Sequence, residues 1–284
     1  MKNVLIIHDI SGYGKCSTTV ALPILSSMEL TGTLLPSALL STHTGPGFEG
    51  FTFLDLKDEM PKITDHWKSF GLKFDAIYIG YLGHVAQIEF LSQELPALLA
   101  DNGKIYLDPV MADNGQFYPG FDQNYAHAMR DLCRIADVVM PNQTEAAYLF
   151  DLDYKEGLWP EEKIQELEHA LGQYTEAALV LTGAGFDEQG KTGAYFKDPV
   201  SDQSGLVQAD FVGGSFHGTG DIFGSILVGA SVNGADLAEA TRIAVETLPK
   251  IIKISLDDPN MEQNGLQFER FLGDLSQYVR ELKK

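Results

Sequence analysis

The sequence predicts an α/β protein built on one open, mostly parallel sheet with helices on both faces and a small antiparallel edge. Short apolar runs alternate with longer amphipathic stretches as far as residue 183, which is the signature of βαβ units. Several of the runs are apolar nearly throughout, as strands covered on both faces should be. Beyond residue 183 the alternation gives way to two edge-like segments and then to helices.

In chain order, the first strand is VLIIH (4–8), followed by a glycine-containing turn that enters a helix at Ser17 or Thr18. LLPSALL (34–40) is the second strand, 57–70 a helix, AIYIGYL (76–82) a strand and 86–101 a helix. KIYLDPV (104–110), a helix over 122–134, ADVVMP (136–141), helices over 143–150 and 161–173, and ALVLTG (178–183) continue the pattern. TGAYF (192–196) and GLVQADFV (205–212) read as an antiparallel edge, and 220–234, 236–254 and 266–282 as three helices. No Pro-rich, Ser-rich or low-complexity tract separates the halves, so residues 1–284 are expected to form one domain.

Forty acidic residues against 20 basic ones give a formal net charge of −20. Such a field repels nucleic acid and anionic membranes, so neither is expected as a partner. It repels nucleotides too, so a nucleotide site would have to be made locally from backbone N–H groups and a bound cation. Two distant cysteines, Cys16 and Cys133, fit neither a disulfide framework nor a zinc cluster. The first residues carry too short an apolar run for a signal peptide, and no stretch is long enough for a membrane span. The expectation is a soluble cytoplasmic protein.

In open parallel sheets ligands bind beyond the carboxyl ends of the strands, so the residues just after each strand matter most. DISGYGKCS (9–17) invites comparison with two phosphate loops and fits neither. Asp9 and Cys16 occupy positions where a Walker A loop needs Gly and Ser/Thr, and Ser17 stands where the dinucleotide fingerprint needs its third glycine. A strand-to-helix turn with exposed amides, Asp9 and Ser11 remains, either a plain capped turn or a substrate loop. GGSFH (213–217) lacks the last glycine of a nucleophile elbow, and the seven histidines show no metal-binding spacing.

HGTGD (217–221) is the sharpest motif. Gly218 and Gly220 permit backbone conformations closed to other residues, and a helix starting near 220 directs unpaired N–H groups into the same space, making an anion hole with Thr219. A helix dipole contributes only about 0.3–1 kcal/mol to an exposed charge. One preorganised N–H aimed at developing charge contributes roughly 3 kcal/mol. Asp221 is then either an acidic residue at home in a helix first turn or a base that takes a proton from a hydroxyl attacking phosphorus. The following helix, IFGSILVGAS, is apolar on nearly every face and should be buried, which would hold its N-terminus rigidly. In PNQTE (141–145), Asn142 and Glu145 form either a capping box or part of a hydrated magnesium site. Asp108 in LDPVM is either a residue preceding a proline at a strand end or a carboxylate of a metal–phosphate site.

Taken in order and spacing, STHTG, GYLG, DPVM, PNQTE and HGTGD resemble the ribokinase-like superfamily, and within it the pyridoxal (pyridoxine) kinases, over nearly the whole chain. The resemblance implies a ribokinase-like fold and transfer of the γ-phosphate of ATP to the 5′-hydroxymethyl group of pyridoxal, pyridoxine or pyridoxamine. It further implies Mg²⁺, a monovalent cation (K⁺ or Na⁺) and a homodimer. By motif, Asp221 would be the base and Gly218, Thr219 and Gly220 the anion hole. Asp108, Asn142 and Glu145 would serve the metal–phosphate region, and Thr182 would lie near the nucleotide phosphates. Val207, Phe211 and Gly213 would border the adenine, and Asp9, Ser11, Thr44 and Tyr81 would face the pyridine ring. Asp9 after the first strand and His217 before GTGD point toward a close rival, the hydroxymethylpyrimidine kinases. A non-catalytic nucleotide or vitamer sensor is the rival of another class, and the complete set of Asp108, Asn142, Glu145 and Asp221 argues against it because a sensor has no use for a base.

Overall fold

A computed structural model describes residues 1–45, 47–184, 190–214 and 216–284. In chain order its elements are β1 (Asn3–Ile7), β2 (Ile10–Ser11), α1 (Thr18–Ser27), β3 (Thr31–Leu34), β4 (Ala38–Leu40), β5 (Phe53–Asp55), α2 (Met60–Ser69) and β6 (Phe74–Ile79). Then come α3 (Val85–Leu98), β7 (Leu99–Leu107), β8 (Ala112–Asp113), β9 (Gln116–Phe117), α4 (Gln123–Leu132), β10 (Val138–Val139), α5 (Gln143–Leu149), α6 (Glu161–Gly172) and β11 (Ala178–Thr182). The chain ends with β12 (Lys191–Asp198), β13 (Gln203–Asp210), α7 (Thr219–Val232), α8 (Leu237–Ser255), α9 (Met261–Asn264), a 3₁₀ turn (Phe268–Phe271) and α10 (Leu272–Leu282).

Among the described residues the main sheet runs β13-β12-β11-β10-β7-β6-β1-β3. Its strands are parallel from β3 to β11, and β12 and β13 add the antiparallel edge that the sequence predicts. The chain leaves β1 for β3 on one side and later returns to β6 on the other, which creates a switch-point crevice at the carboxyl ends of β1 and β6.

Strand alternation divides the apolar residues between two cores. Val4, Ile6, Ala76 and Tyr78 face α1, α7, α8 and α10. Leu5, Ile7, Ile77 and Ile79 face α2, α3, α4, α5 and α6. Each fully buried aliphatic side chain contributes about 1.5–3 kcal/mol, so strands buried on both faces must be apolar at every position. Helix α7 is buried from Ile222 to Ala230. Its glycines let neighbours approach closely: a Cβ on Gly224 would stand 2.3 Å from the Tyr78 hydroxyl, and one on Gly229 2.3 Å from the Met28 sulfur.

Two expectations are corrected. LLPSALL is not one strand: β3 ends at Leu34, and Ala38–Leu40 belongs to a separate three-stranded sheet, β2-β4-β5. Pro36 lies at the break, where it has no N–H for the ladder. The stretch 266–282 is likewise not one helix, since a 3₁₀ turn precedes α10. In the small sheet Leu39 pairs with Leu54 and Leu40 with Phe53, so alternate residues face opposite ways. The Phe53 ring approaches Gly83 beside Tyr81, and Leu39, Phe53 and Leu54 are all exposed. The hairpin β8–β9 turns on Asn114-Gly115, both at positive φ, as the primed turns of tight hairpins require. No helix among the described residues is long and apolar enough to cross a membrane.

Candidate active site

The carboxyl ends of β1, β6, β7 and β10 bring His8, Asp9, Tyr81, Asp108 and Asn142 to one rim, and the N-terminus of α7 points at the same rim. Gly218 is the N-cap of α7 with φ 79° and ψ 3°, a left-handed conformation natural to glycine. A Cβ there would also stand 2.6 Å from the Lys15 carbonyl oxygen, so the turn after β1 and the start of α7 touch backbone to backbone. Gly218→Ala is expected to lower Tm by about 2–8 °C, from roughly 1–2 kcal/mol of left-handed strain, and to reduce kcat as the N–H groups of the first turn shift. Thermal melts and steady-state kinetics check both effects.

Asp221 lies one residue beyond Gly220 in that first turn, its side chain 13% exposed. The Ser17 backbone N–H donates to its Oδ2 at 2.8 Å, an approach made possible by the turn at Ser17, whose φ is 52°. Burial pushes the Asp221 carboxyl up to about 6, with the Ser17 N–H opposing and the charge of Asp9 adding to the shift. A carboxylate with this value is ionised at neutral pH and still basic enough to accept a proton.

Asp108, at the end of β7, is buried, and its Oδ2 lies 3.9 Å from where a Cβ on Gly220 would stand. Burial and then the charge of Asp221 hold its carboxyl well above the usual range. Glu145 is buried as well and raised by burial and by Asp108, against two backbone donors. Those donors are Met111 N–H, 3.1 Å from Oε1, and Asn142 N–H, 2.9 Å from Oε2. Asn142 Oδ1 accepts from the Glu145 N–H at 2.9 Å, completing a capping box, and Asn142 Nδ2 donates to the Ala112 carbonyl at 2.8 Å. The capping reading of PNQTE is therefore present in the structure. It engages both polar atoms of Asn142 and leaves one lone pair of Oδ1 free for a water or a cation.

Asp221, Asp108 and Glu145 are thus all raised carboxylates, Asp221 adding to the shift of Asp108 and Asp108 to that of Glu145, and none is ion-paired with Lys or Arg among the described residues. Such a series favours a cation or protons. The described residues contain no cluster of three or more His, Cys, Asp or Glu side chains able to enclose a metal. That combination fits Mg²⁺, which takes one or two carboxylates and completes its shell with water and phosphate oxygens.

Just beyond β1, Asp9 is buried and accepts from Ser11 Oγ at 2.8 Å, and burial raises its carboxyl above the ordinary value. Tyr81 packs against Phe121 at 5.8 Å between ring centres, its hydroxyl pushed up to about 12 by burial and by Asp9 and Asp55. Thr44 is exposed, between His43 and Gly45, and this loop leans on the HGTGD segment through His43 and His217, whose rings are 4.7 Å apart. Thr182 ends β11 and bridges to Asn142. Val207 lies in β13, and Phe211 and Gly213 are exposed just beyond it, so these three sit at the sheet edge, apart from the carboxylates. Ser215, the serine of the rejected elbow, lies outside the described residues. Three groups missing from the sequence reading join the site: the Ser17 N–H, the buried ring of His43 and, directly behind Asp221, His8. His8 follows directly on the apolar run of the first strand, but nothing in the sequence ties it to Asp221.

A parallel sheet with a switch-point crevice, a helix terminus capped by a left-handed glycine, a raised carboxylate beside it and further carboxylates opposite are parts that suit phosphoryl transfer. The sequence profile of the phosphomethylpyrimidine kinases matches residues 63–265, and the chain belongs to that family.

Its relatives act on vitamin B6 as well. A Bacteroides thetaiotaomicron protein assigned to the phosphomethylpyrimidine kinases, solved with pyridoxal, is 36% identical with a TM-score of 0.90, covering 96% of this chain and 95% of that one. The pyridoxal kinase of Lactobacillus plantarum is 31% identical with a TM-score of 0.87, covering 100% and 98% of the two chains. A pyridoxine kinase of Bacillus subtilis is 27% identical over 206 residues, 70% of each chain. The resemblance to pyridoxal kinases read from the motifs is borne out by these relatives, and so is the fold.

Proposed function

We propose that this chain transfers the γ-phosphoryl group of ATP to the 5′-hydroxymethyl group of pyridoxal, pyridoxine or pyridoxamine, giving the 5′-phosphate and ADP. The observation that carries the reaction is the largely enclosed Asp221 carboxylate, raised to about 6, at the N-terminus of a helix capped by a left-handed glycine. The relative solved with pyridoxal supports the choice of ring.

Asp221 accepts the proton of the substrate hydroxyl as its oxygen attacks phosphorus. The unpaired N–H groups at Gly218, Thr219 and Gly220 hold the phosphoryl oxygens, since the first N–H groups of a helix have no partner within it. Asp9 with Ser11, Tyr81 and Thr44 surround the ring, and Thr182, Val207, Phe211 and Gly213 line the path of the nucleotide. Asp108, and Glu145 and Asn142 through water, would hold Mg²⁺, which neutralises the phosphate charge. The reading includes a monovalent cation, K⁺ or Na⁺, by the same resemblance. It also includes a homodimer, supported by the exposed Leu39–Leu54 pair on the outer face of the small sheet, and a cytoplasmic location, supported by two free cysteines. One domain over 1–284 completes it.

ADP release against a panel of B6 vitamers, hydroxymethylpyrimidine and simple sugars tests this reading. All three vitamers are expected to give turnover, with kcat/KM for pyridoxal above that for the pyrimidine. A clear preference for the pyrimidine would overturn the choice of ring. Absence of ADP release with every acceptor, despite tight ATP binding, would make the protein a sensor.

A further inference from the structure

His8 is completely buried, yet neither ring nitrogen has a hydrogen-bond partner among the described residues. A buried polar group without a partner is costly, and each such group in a folded protein calls for an explanation. The ring is also held tightly. A Cβ on Gly80, at the end of β6, would come within 1.9 Å of the ring, so only glycine leaves room for it. Tyr78 packs edge-on at 4.7 Å from the ring, and its own hydroxyl is buried against Gly224 of α7. In this fixed setting Nδ1 stands 3.7 Å from Asp221 Oδ1, the carboxylate oxygen not taken by the Ser17 N–H.

We infer that His8 is a positioning residue for the phosphoryl-transfer step: its Nδ1–H donates to Asp221 Oδ1 once the substrates are bound, and fixes the plane of the carboxylate between two N–H donors. This rests on the reading of Asp221 as the base. Burial keeps the imidazole neutral, lowering it to about 3, so the contact is a hydrogen bond from one tautomer rather than an ion pair. A carboxylate accepts only, so the nitrogen facing it must be the one that carries the proton. Closing the gap to hydrogen-bond length takes roughly half an ångström, and catalytic hydrogen bonds commonly tighten on forming the reactive complex. With Ser17 N–H on Oδ2 and His8 on Oδ1, the carboxylate cannot rotate, and a fixed plane keeps its free lone pair on the substrate hydroxyl.

The test combines kinetics with nitrogen NMR on the full chain. His8→Leu should lower kcat by about tenfold while leaving KM for ATP and pyridoxal near wild type, and His8→Asn, whose amide can replace the Nδ1–H, should recover most of the loss. Long-range ¹⁵N–¹H spectra of the wild-type protein with ADP and pyridoxal should show His8 as the Nδ1–H tautomer, a readout that stands even if His8→Leu does not fold. An Nε2–H tautomer in that complex, or His8→Leu turnover within twofold of wild type, would overturn the inference. Asp221→Asn measured alongside separates the two readings. Normal turnover there removes the base and this proposal with it, whereas normal His8→Leu beside an inactive Asp221→Asn removes only the role of His8.

Discussion

Asp221→Asn is expected to lower kcat by on the order of 10²-fold or more, the range that a positioned general base contributes. The fold should survive, because the amide oxygen can still accept from the Ser17 N–H that meets Oδ2 at 2.8 Å. The variant also removes a buried charge, so its Tm should equal or exceed that of wild type. In the wild-type enzyme kcat/KM should climb about tenfold per pH unit up to roughly pH 6, where the carboxyl ionises, and that limb should vanish in the variant. A correctly folded Asp221→Asn with near-normal kcat would sink the assignment, and Asp221 would then be no more than an acidic residue in a helix first turn.

Asp108→Asn should separate stability from activity. Asp108 is raised in the folded protein by burial and by Asp221, so over the window between its unfolded value and its raised one the native state binds more protons than the unfolded state. Stability therefore falls as pH rises through that window. The asparagine variant escapes this loss and should melt about 2–4 °C higher than wild type at pH 8, a gain that shrinks toward acid pH. Mg²⁺ should raise the wild-type Tm more at pH 8 than at pH 5 and should raise that of the variant less. Activity should fall by roughly 10²-fold, since stabilisation of phosphoryl charge is worth several kcal/mol. A variant that melts below wild type at pH 8 would mean that Asp108 is a structural carboxylate.

Most of the parallel strands could be located in the chain because burial on both faces forces apolar runs such as NVLII, where every second residue belongs to the opposite core. HGTGD could be read for a similar reason, since a left-handed glycine beside an acidic helix start has few uses. The small sheet could not be read: β2, β4 and β5 are two or three residues long, too short to show alternation. PNQTE carried both of its readings at once, because a capping box and a hydrated-metal site ask for the same residue types. His8 and the Ser17 N–H were hidden for another reason. Their importance lies in where Asp221 sits, and nothing near residue 8 or 17 in the chain announces that.

The bond from Ser17 to Asp221 joins residues 204 positions apart. The first strand and its turn are made early in synthesis, yet the carboxylate that they hold arrives only with α7, near the end of the chain. A chain that has not yet reached or docked α7 therefore lacks this contact, even with most of its sheet in place. During refolding, phosphoryl transfer should return later than the helical signal, so that enzymatic activity serves as a reporter of the last long-range closure.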